Sequence, residues 1–363
     1  MIDRRSLMKL GAAAPFAAML PKAGQAAFQP QPSGWRLFEL TTRVDLPAGG
    51  KPAQAWVPVP SVHEDGWMKP QAVEWTTNAH RAEIVTDGPN GAQYLHAEWS
   101  GVETATLDIV ARVETQDRAK DLSAPTSDAS LSAEERALYT AATELLPTDG
   151  IVKETADMIT QYADTDLRKA RAIYEWIVEN TARNPDTPGC GLGDIASMLE
   201  VGDLTGKCAD LNALYVGLAR AAGLPARDVY GLRVAPSAFG YKSLGAGSED
   251  VTKAQHCRAE VFVDGYGWIP ADPADVRKVM LQEGEGNLPL DHPLVEDARA
   301  GLFGSWEGNW IGYNFAHDVV LPGAENATVP FLMYPQAEID GKPRYELDPA
   351  TFAYAITAVE LTR

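Results

Sequence analysis

Three residues of this 363-residue chain could act together in nucleophilic chemistry: Cys208, His256 and Asp272. Cys208 opens a run to Ala222 whose periodicity predicts a helix, with Cys208, Leu211, Tyr215, Leu218 and Ala222 on one stripe. A thiol at a helix start lies beside backbone N–H groups that have no partner within the helix, and at the positive end of the helix dipole. Both favour the thiolate. The Cys208 N–H could also donate to an oxyanion forming on a substrate carbonyl. The same stripe suits a small buried residue beginning a core helix, so the helix alone leaves both readings open.

His256 begins a strand-like run and Asp272 ends the next one, with Asp264-Gly265-Tyr266-Gly267 between them as a hairpin turn. The hairpin predicts Asp272 on the strand beside His256, offset by a few residues. A carboxylate there fixes the imidazole tautomer and stabilises an imidazolium. Taken singly, His256 reads as well as a surface or core histidine, and Asp272 as a cap before Pro273. The hairpin is what joins them. His317-Asp318 is a second pair of the right types but lacks that context.

The elements around these residues divide the chain. Residues 28–118 read as a small β-sandwich: strand-like runs at Trp35–Val44, Ala55–Val57, Ala82–Val85, Ala92–Glu98 and Ala105–Val113, with turns at Pro47–Gly50 and Asp87–Gly91. Residues 116–134 read as a polar linker, and helical patterning begins near Ser132. Leu167, Ala170, Ile173, Tyr174 and Ile177 fall on one helical face. Gly223 and Pro225 stop the cysteine helix, and Arg227–Val234 follows as a strand. The long polar loop 235–254 precedes His256, where it could cover a cleft. The aromatic run Trp306–Asp318 reads as core packing more than as cleft lining. Strand-like runs recur at Val329–Tyr334 and Phe352–Leu361, and their sheet is not readable from the sequence.

Gly206-Lys207-Cys208-Ala209-Asp210-Leu211, followed by Gly223-Leu224-Pro225-Ala226-Arg227-Asp228-Val229-Tyr230-Gly231, resembles the cysteine motif of the transglutaminase-like superfamily. His256-Cys257-Arg258-Ala259-Glu260-Val261 and Trp268-Ile269-Pro270-Ala271-Asp272-Pro273 resemble its histidine and aspartate motifs, in the family's order. The resemblance implies an α+β, papain-like core, with the cysteine helix packed on an antiparallel sheet, spanning residues 119–290 and preceded by the sandwich. Residues 291–363 would be a β-containing C-terminal extension. It further implies Cys208 as nucleophile, His256 as general base and acid, and Asp272 as orienting group. The expected activity is thiol-dependent hydrolysis of an amide in a peptide or protein. Amine transfer that crosslinks proteins is the alternative, and a non-enzymatic peptide or cell-wall binding module is the alternative of another class. Two departures stand out. The family usually places Trp or Tyr ahead of the cysteine region as an extra oxyanion donor, whereas this chain reads Asn180-Thr181-Ala182-Arg183-Asn184. Cys257 stands where an aromatic or small residue is common.

The composition, 45% hydrophobic and 22% charged, is that of a folded globular protein. The net charge of −19 argues against nucleic acid and anionic membranes as partners. No cofactor is expected: the six histidines are scattered, no metal-ligand spacing appears, and there is no phosphate loop or dinucleotide fingerprint. Asp3-Arg4-Arg5-Ser6-Leu7-Met8-Lys9, the apolar stretch Leu10–Leu20 and small residues at Ala23–Ala27 read as a twin-arginine export signal over residues 1–27. That predicts a periplasmic or secreted bacterial protein, with no later segment long and apolar enough to span a bilayer. Three cysteines in an oxidising compartment leave at least one thiol unpaired. A Cys190–Cys257 disulfide is one arrangement that leaves Cys208 free, and two buried thiols is the other.

Overall fold

The structure is a computed structural model that describes residues 27–125, 128–325 and 328–362, so the export-signal reading lies outside the described residues. Two antiparallel sheets form the sandwich. One runs in the order Ala353–Leu361, Arg36–Leu46, Ala105–Thr115, Met68–Thr77. The other runs Lys342–Arg344, Gln336–Ile339, Ala53–Pro58, Ala92–Trp99, Arg81–Asp87. Alternate residues of Arg36–Leu46 and Ala105–Thr115 turn inward, as a half-buried strand requires. Val44, Leu46, Leu107 and Ile109 share one buried cluster with Ala55, Val57, Leu95 and Ala97. Gly88 and Gly91 adopt positive φ at the Asp87–Gly91 turn, a conformation that glycine enters without steric cost.

The C-terminal segment, residues 291–363, gives strands to the central sheet and to the sandwich. Trp310–Asn314 joins the central sheet, while Gln336–Ile339, Lys342–Arg344 and Ala353–Leu361 complete the sandwich. The strand Ala353–Leu361 pairs along nearly the whole of Arg36–Leu46. Met68–Thr77 is a sandwich strand that periodicity did not pick out; its outward residues are mostly exposed and its register slips between Pro70 and Val73.

The core unit follows the expected order. Ser132 caps the helix Ala133–Thr140 in a reciprocal capping box with Glu135. The helix Asp166–Asn180 buries Ala170, Ile173, Tyr174, Ile177 and Val178 against the interior. Every residue of the cysteine helix, Cys208–Ala221, is buried. It packs on a four-stranded antiparallel sheet ordered Gly267–Ala271, Gln255–Val263, Ala226–Arg233, Trp310–Asn314. Phe38, Leu40, Trp67 and Val113 from the sandwich join Trp306, Trp310 and Tyr313 in one buried cluster, which seats the sandwich on the core. A buried charge chain crosses the same junction. Glu260 on the histidine strand meets Arg118 and Arg227, and Arg227 meets Glu64 at 2.7 Å.

Candidate active site

Cys208 is the first residue of its helix, so its N–H has no carbonyl one turn earlier within the helix to bond. Asp210 fixes this helix start. Its carboxylate accepts from the backbone N–H of Lys207, Leu192 and Gly193, each at 2.9 Å. The neighbouring Ala209 N–H donates to the Cys190 carbonyl at 2.8 Å. The loop carrying Cys190 is thereby tied to the helix N-terminus. Gly191 and Gly206 press against the same carboxylate: a Cβ at Gly191 would stand 1.9 Å from Asp210 Oδ2, and one at Gly206 2.4 Å from it. The small residues around the cysteine motif are set by this packing.

His256 lies on the strand Gln255–Val263 and Asp272 caps the helix Pro273–Gln282. The hairpin register pairs Ala259 with Ala271, which brings Asp272 alongside the histidine end of the strand. His256 Nε2 is 2.7 Å from Asp272 Oδ2, leaving Nδ1 as the ring nitrogen available to the thiol. Asp275 Oδ2 lies 3.3 Å from the same Nε2. Trp310 Nε1 donates to the His256 carbonyl at 3.0 Å and holds the strand in place. All of these side chains are buried.

Three further residues complete the constellation. Asn212 donates to Asp272 Oδ1 at 3.1 Å and to the Cys257 carbonyl at 2.8 Å, and its own oxygen accepts from the Ala274 N–H at 3.3 Å. Asp275 receives Arg233 on both oxygens, at 2.6 and 2.8 Å. These positions carried a weak sequence signal. Asn212 stands one turn after Cys208, and Asp275 one turn after Asp272, on helices whose faces only the fold orients. Arg233 sits in a strand that is buried throughout, where a charge needs a partner the sequence does not name.

The charges favour an ion pair. Burial and Arg233 oppose a charged His256, but Asp275 and Asp272 outweigh them and push its pKa up to about 9. The neighbouring Cys190 and Cys257 thiols, together with His256, overcome burial and hold the Cys208 thiol well below the usual range. The Cys208 side chain raises Cys190, and burial raises Cys257. The shifts make Cys208 the most acidic of the three thiols. All three cysteines are free, so of the two arrangements the sequence left open the structure has the thiols. Cys190 Sγ instead donates to the Gln255 carbonyl at 3.3 Å, and Cys257 Sγ lies 3.9 Å from Met333 Sδ.

Ligand atoms of His256, Asp272 and Asp275 lie within 4.8 Å of one another. Arg233 already covers both Asp275 oxygens and the imidazole takes Asp272, so the group is an ion-pair chain and not a cage for a cation.

A cleft of about 590 Å³ opens over Cys208 and His256. The loop 235–254 forms one wall through Gly245, Ala246, Gly247 and Asp250, so it flanks the opening. Tyr334, Leu347 and Tyr354 form another part of the lining. The aromatic run Trp306–Asp318 stays out of the cleft lining and packs in the interior, with His317 Nε2 3.1 Å from Asp228.

Comparison with known proteins gives the same assignment of family. Residues 153–273 match the family model for the transglutaminase-like superfamily. An uncharacterized protein of Haemophilus influenzae is 36% identical over 344 residues, covering 90% of this chain and 92% of that protein. A candidate cysteine protease from Cytophaga hutchinsonii shares the fold at 16% identity and a TM-score of 0.50, covering 90% of this chain and 99% of that one. The periplasmic domain of TgpA from Pseudomonas aeruginosa aligns at 17% identity with a TM-score of 0.35, over 70% of this chain and 74% of that one. Among the described residues no helix is long and apolar enough to cross a membrane. Cys208, His256 and Asp272 all fall inside the matched segment, and with a relative so similar along nearly its full length, the chain belongs to the transglutaminase-like superfamily.

Proposed function

We propose that the protein is a thiol-dependent amide hydrolase acting on a peptide or protein, with Cys208, His256 and Asp272 as its catalytic residues. The observation that carries this reading is the placement of Cys208 at a helix start in an open cleft it shares with His256, while Asp272 holds the imidazole from behind.

The chemistry follows from those positions. The Cys208 thiolate adds to the amide carbonyl carbon, and the oxygen takes up the negative charge near the Cys208 N–H. The tetrahedral species collapses as the C–N bond breaks. The His256 imidazolium gives its proton to the departing amine. The thioester that remains is attacked by water, which surrenders a proton to the now neutral His256, and the carbon–sulfur bond breaks to release the acid and the thiolate. Asp272 keeps Nδ1 directed toward the sulfur throughout. Water is abundant in an open cleft, which makes it the acceptor ahead of a second substrate amine. The twin-arginine segment supports an exported site of action.

The test is the alkylation rate of Cys208 against pH, in the wild type and in His256→Ala, read by peptide mass spectrometry. The proposal expects Cys208 to stay reactive well below the free-thiol value of about 8.5, and to lose that reactivity in the variant. A Cys208 that is inert, or that titrates as a free thiol in both proteins, overturns it and puts the binding-module reading first.

A further inference from the structure

The chain carries 50 acidic and 31 basic residues, yet the charged lining of the cleft over Cys208 is mostly cationic. Arg183, Lys207, Arg233, Lys253 and Lys278 line the cleft, against Asp250 and Glu346. Among the described residues only Arg233 of these five is ion-paired, with Asp275.

Arg183 and Lys278 share that cleft with Cys208, and among the described residues neither lies within ion-pair distance of a carboxylate. Arg183 lies on a short strand, Ala182–Arg183, which pairs with Thr205–Gly206 immediately before the cysteine helix. Its Nε and Nη1 are shielded from solvent and have no hydrogen-bond partner. Lys278 continues the three-residue spacing of Asp272 and Asp275 on their helix, so it projects from the same side. Burial, Arg233 and Arg183 hold its pKa down to about 8, while Asp275 and Cys208 act the other way. Two like charges lining one cleft, one of them a guanidinium with two shielded nitrogens lacking an acceptor, are an arrangement that an anion in the cleft would relieve. Glu346 also lines the cleft but forms no ion pair with either cation.

We propose that Arg183 and Lys278 form a carboxylate-binding subsite beside Cys208, so that the acyl compounds bound are peptides carrying a free carboxylate close to the scissile amide. This rests on Cys208 being the acylated thiol. The carboxylate belongs either to a peptide C-terminus or to an acidic side chain. Arg183 offers a planar fork to it and Lys278 a point charge. A purely local role, stabilising the Cys208 thiolate, would treat charged and neutral reagents alike.

That difference is the basis of the experiment. The full chain is alkylated at neutral pH with iodoacetate or iodoacetamide, which share a leaving group and differ in the carboxylate. Labelling of Cys208 is followed by peptide mass spectrometry in the wild type, Arg183→Met, Arg183→Lys and Lys278→Met. The expected result is an iodoacetate-to-iodoacetamide rate ratio that falls roughly fivefold in each Met variant, the scale of one partly screened charge pair, and recovers in Arg183→Lys. An unchanged ratio, or equal loss with both reagents, overturns the subsite. A second arm needs no reaction. Cys208→Ser is titrated calorimetrically with acetyl-dialanine as free acid, with its amide, and with the amide of acetyl-alanyl-glutamate. Preference for the first assigns a C-terminal carboxylate, preference for the third an acidic side chain, and no preference over the neutral amide overturns the proposal. If Cys208 resists both alkylating reagents, the hydrolase reading fails while this titration still decides the subsite.

Discussion

His256 Nε2 lies 2.7 Å from Asp272 Oδ2, and the same carboxylate is the N-cap of the following helix, accepting the Asp275 N–H on its other oxygen at 3.1 Å. One side chain therefore ends a strand, begins a helix and orients the imidazole. Pro273 at the first helical position, with no N–H to satisfy, makes that junction sharp.

The ion pair predicts the pH dependence of turnover. Below the depressed Cys208 pKa the nucleophile is protonated; above about 9 His256 loses the proton it must give to the leaving amine. The two groups titrate as a pair. The profile of kcat/KM should be bell-shaped, with an alkaline limb near 9. Asp275→Asn removes a charge that favours the imidazolium while leaving Asp272 in place, so that limb should move to lower pH. His256→Ala should lower kcat by about 10²–10⁴-fold.

Asn212 is predicted to be a positioning residue. It spans Asp272, the Cys257 carbonyl and the Ala274 N–H, and so ties the cysteine helix to the hairpin and the aspartate helix. Asn212→Leu keeps the bulk and removes these bonds, each worth about 1 kcal/mol net. The expected outcome is a fall in kcat with KM little changed, and an alkaline limb displaced from the wild-type position. A loss of Tm with an unaltered pH profile would instead mark Asn212 as structural only.

How much of this was legible beforehand depends on locality. The cysteine helix, the hairpin and the helical start near Ser132 are set by neighbouring residues, and the structure has them where periodicity and turn chemistry put them. The sheet membership of residues 336–361 depends on partners near residues 36–58, a pairing that no local pattern encodes. The missing aromatic in Asn180–Asn184 was visible as a departure from the family pattern, but not that Arg183 Nε and Nη1 lack partners beside the cleft. Arg233 and Asp275 could not be joined from sequence, because a buried ion pair on two elements leaves only two charged letters in apolar surroundings.

The free thiols carry their own prediction. Protein unfolded in denaturant without reductant should take up three equivalents of a thiol reagent, because Cys190, Cys208 and Cys257 are all unpaired. In the native protein Cys208 should react first, since burial and its neighbours keep Cys190 and Cys257 protonated. A peptide joining Cys190 to Cys257 in the mass spectrum would contradict this arrangement.

Glu260 should be the most costly single carboxylate to neutralise. It is wholly buried between Arg118, which precedes the core, and Arg227 on the adjacent strand, whose Nε lies 2.5 Å from it. Arg227 continues to Glu64 of the sandwich at 2.7 Å and stacks over Trp268 and Phe315. The two guanidinia hold the Glu260 carboxyl below its ordinary range despite its burial. Glu260→Gln leaves two buried cations facing a neutral amide, for which the expected loss is about 3–5 kcal/mol. Urea unfolding should show the midpoint falling. Because this chain crosses the junction, limited proteolysis should also cut the variant between the sandwich and the core, near residues 116–134, sooner than the wild type. A midpoint unchanged in Glu260→Gln would mean that the charge chain adds nothing to the seating of the sandwich, leaving the apolar contacts of Phe38, Leu40 and Trp67 to do it alone.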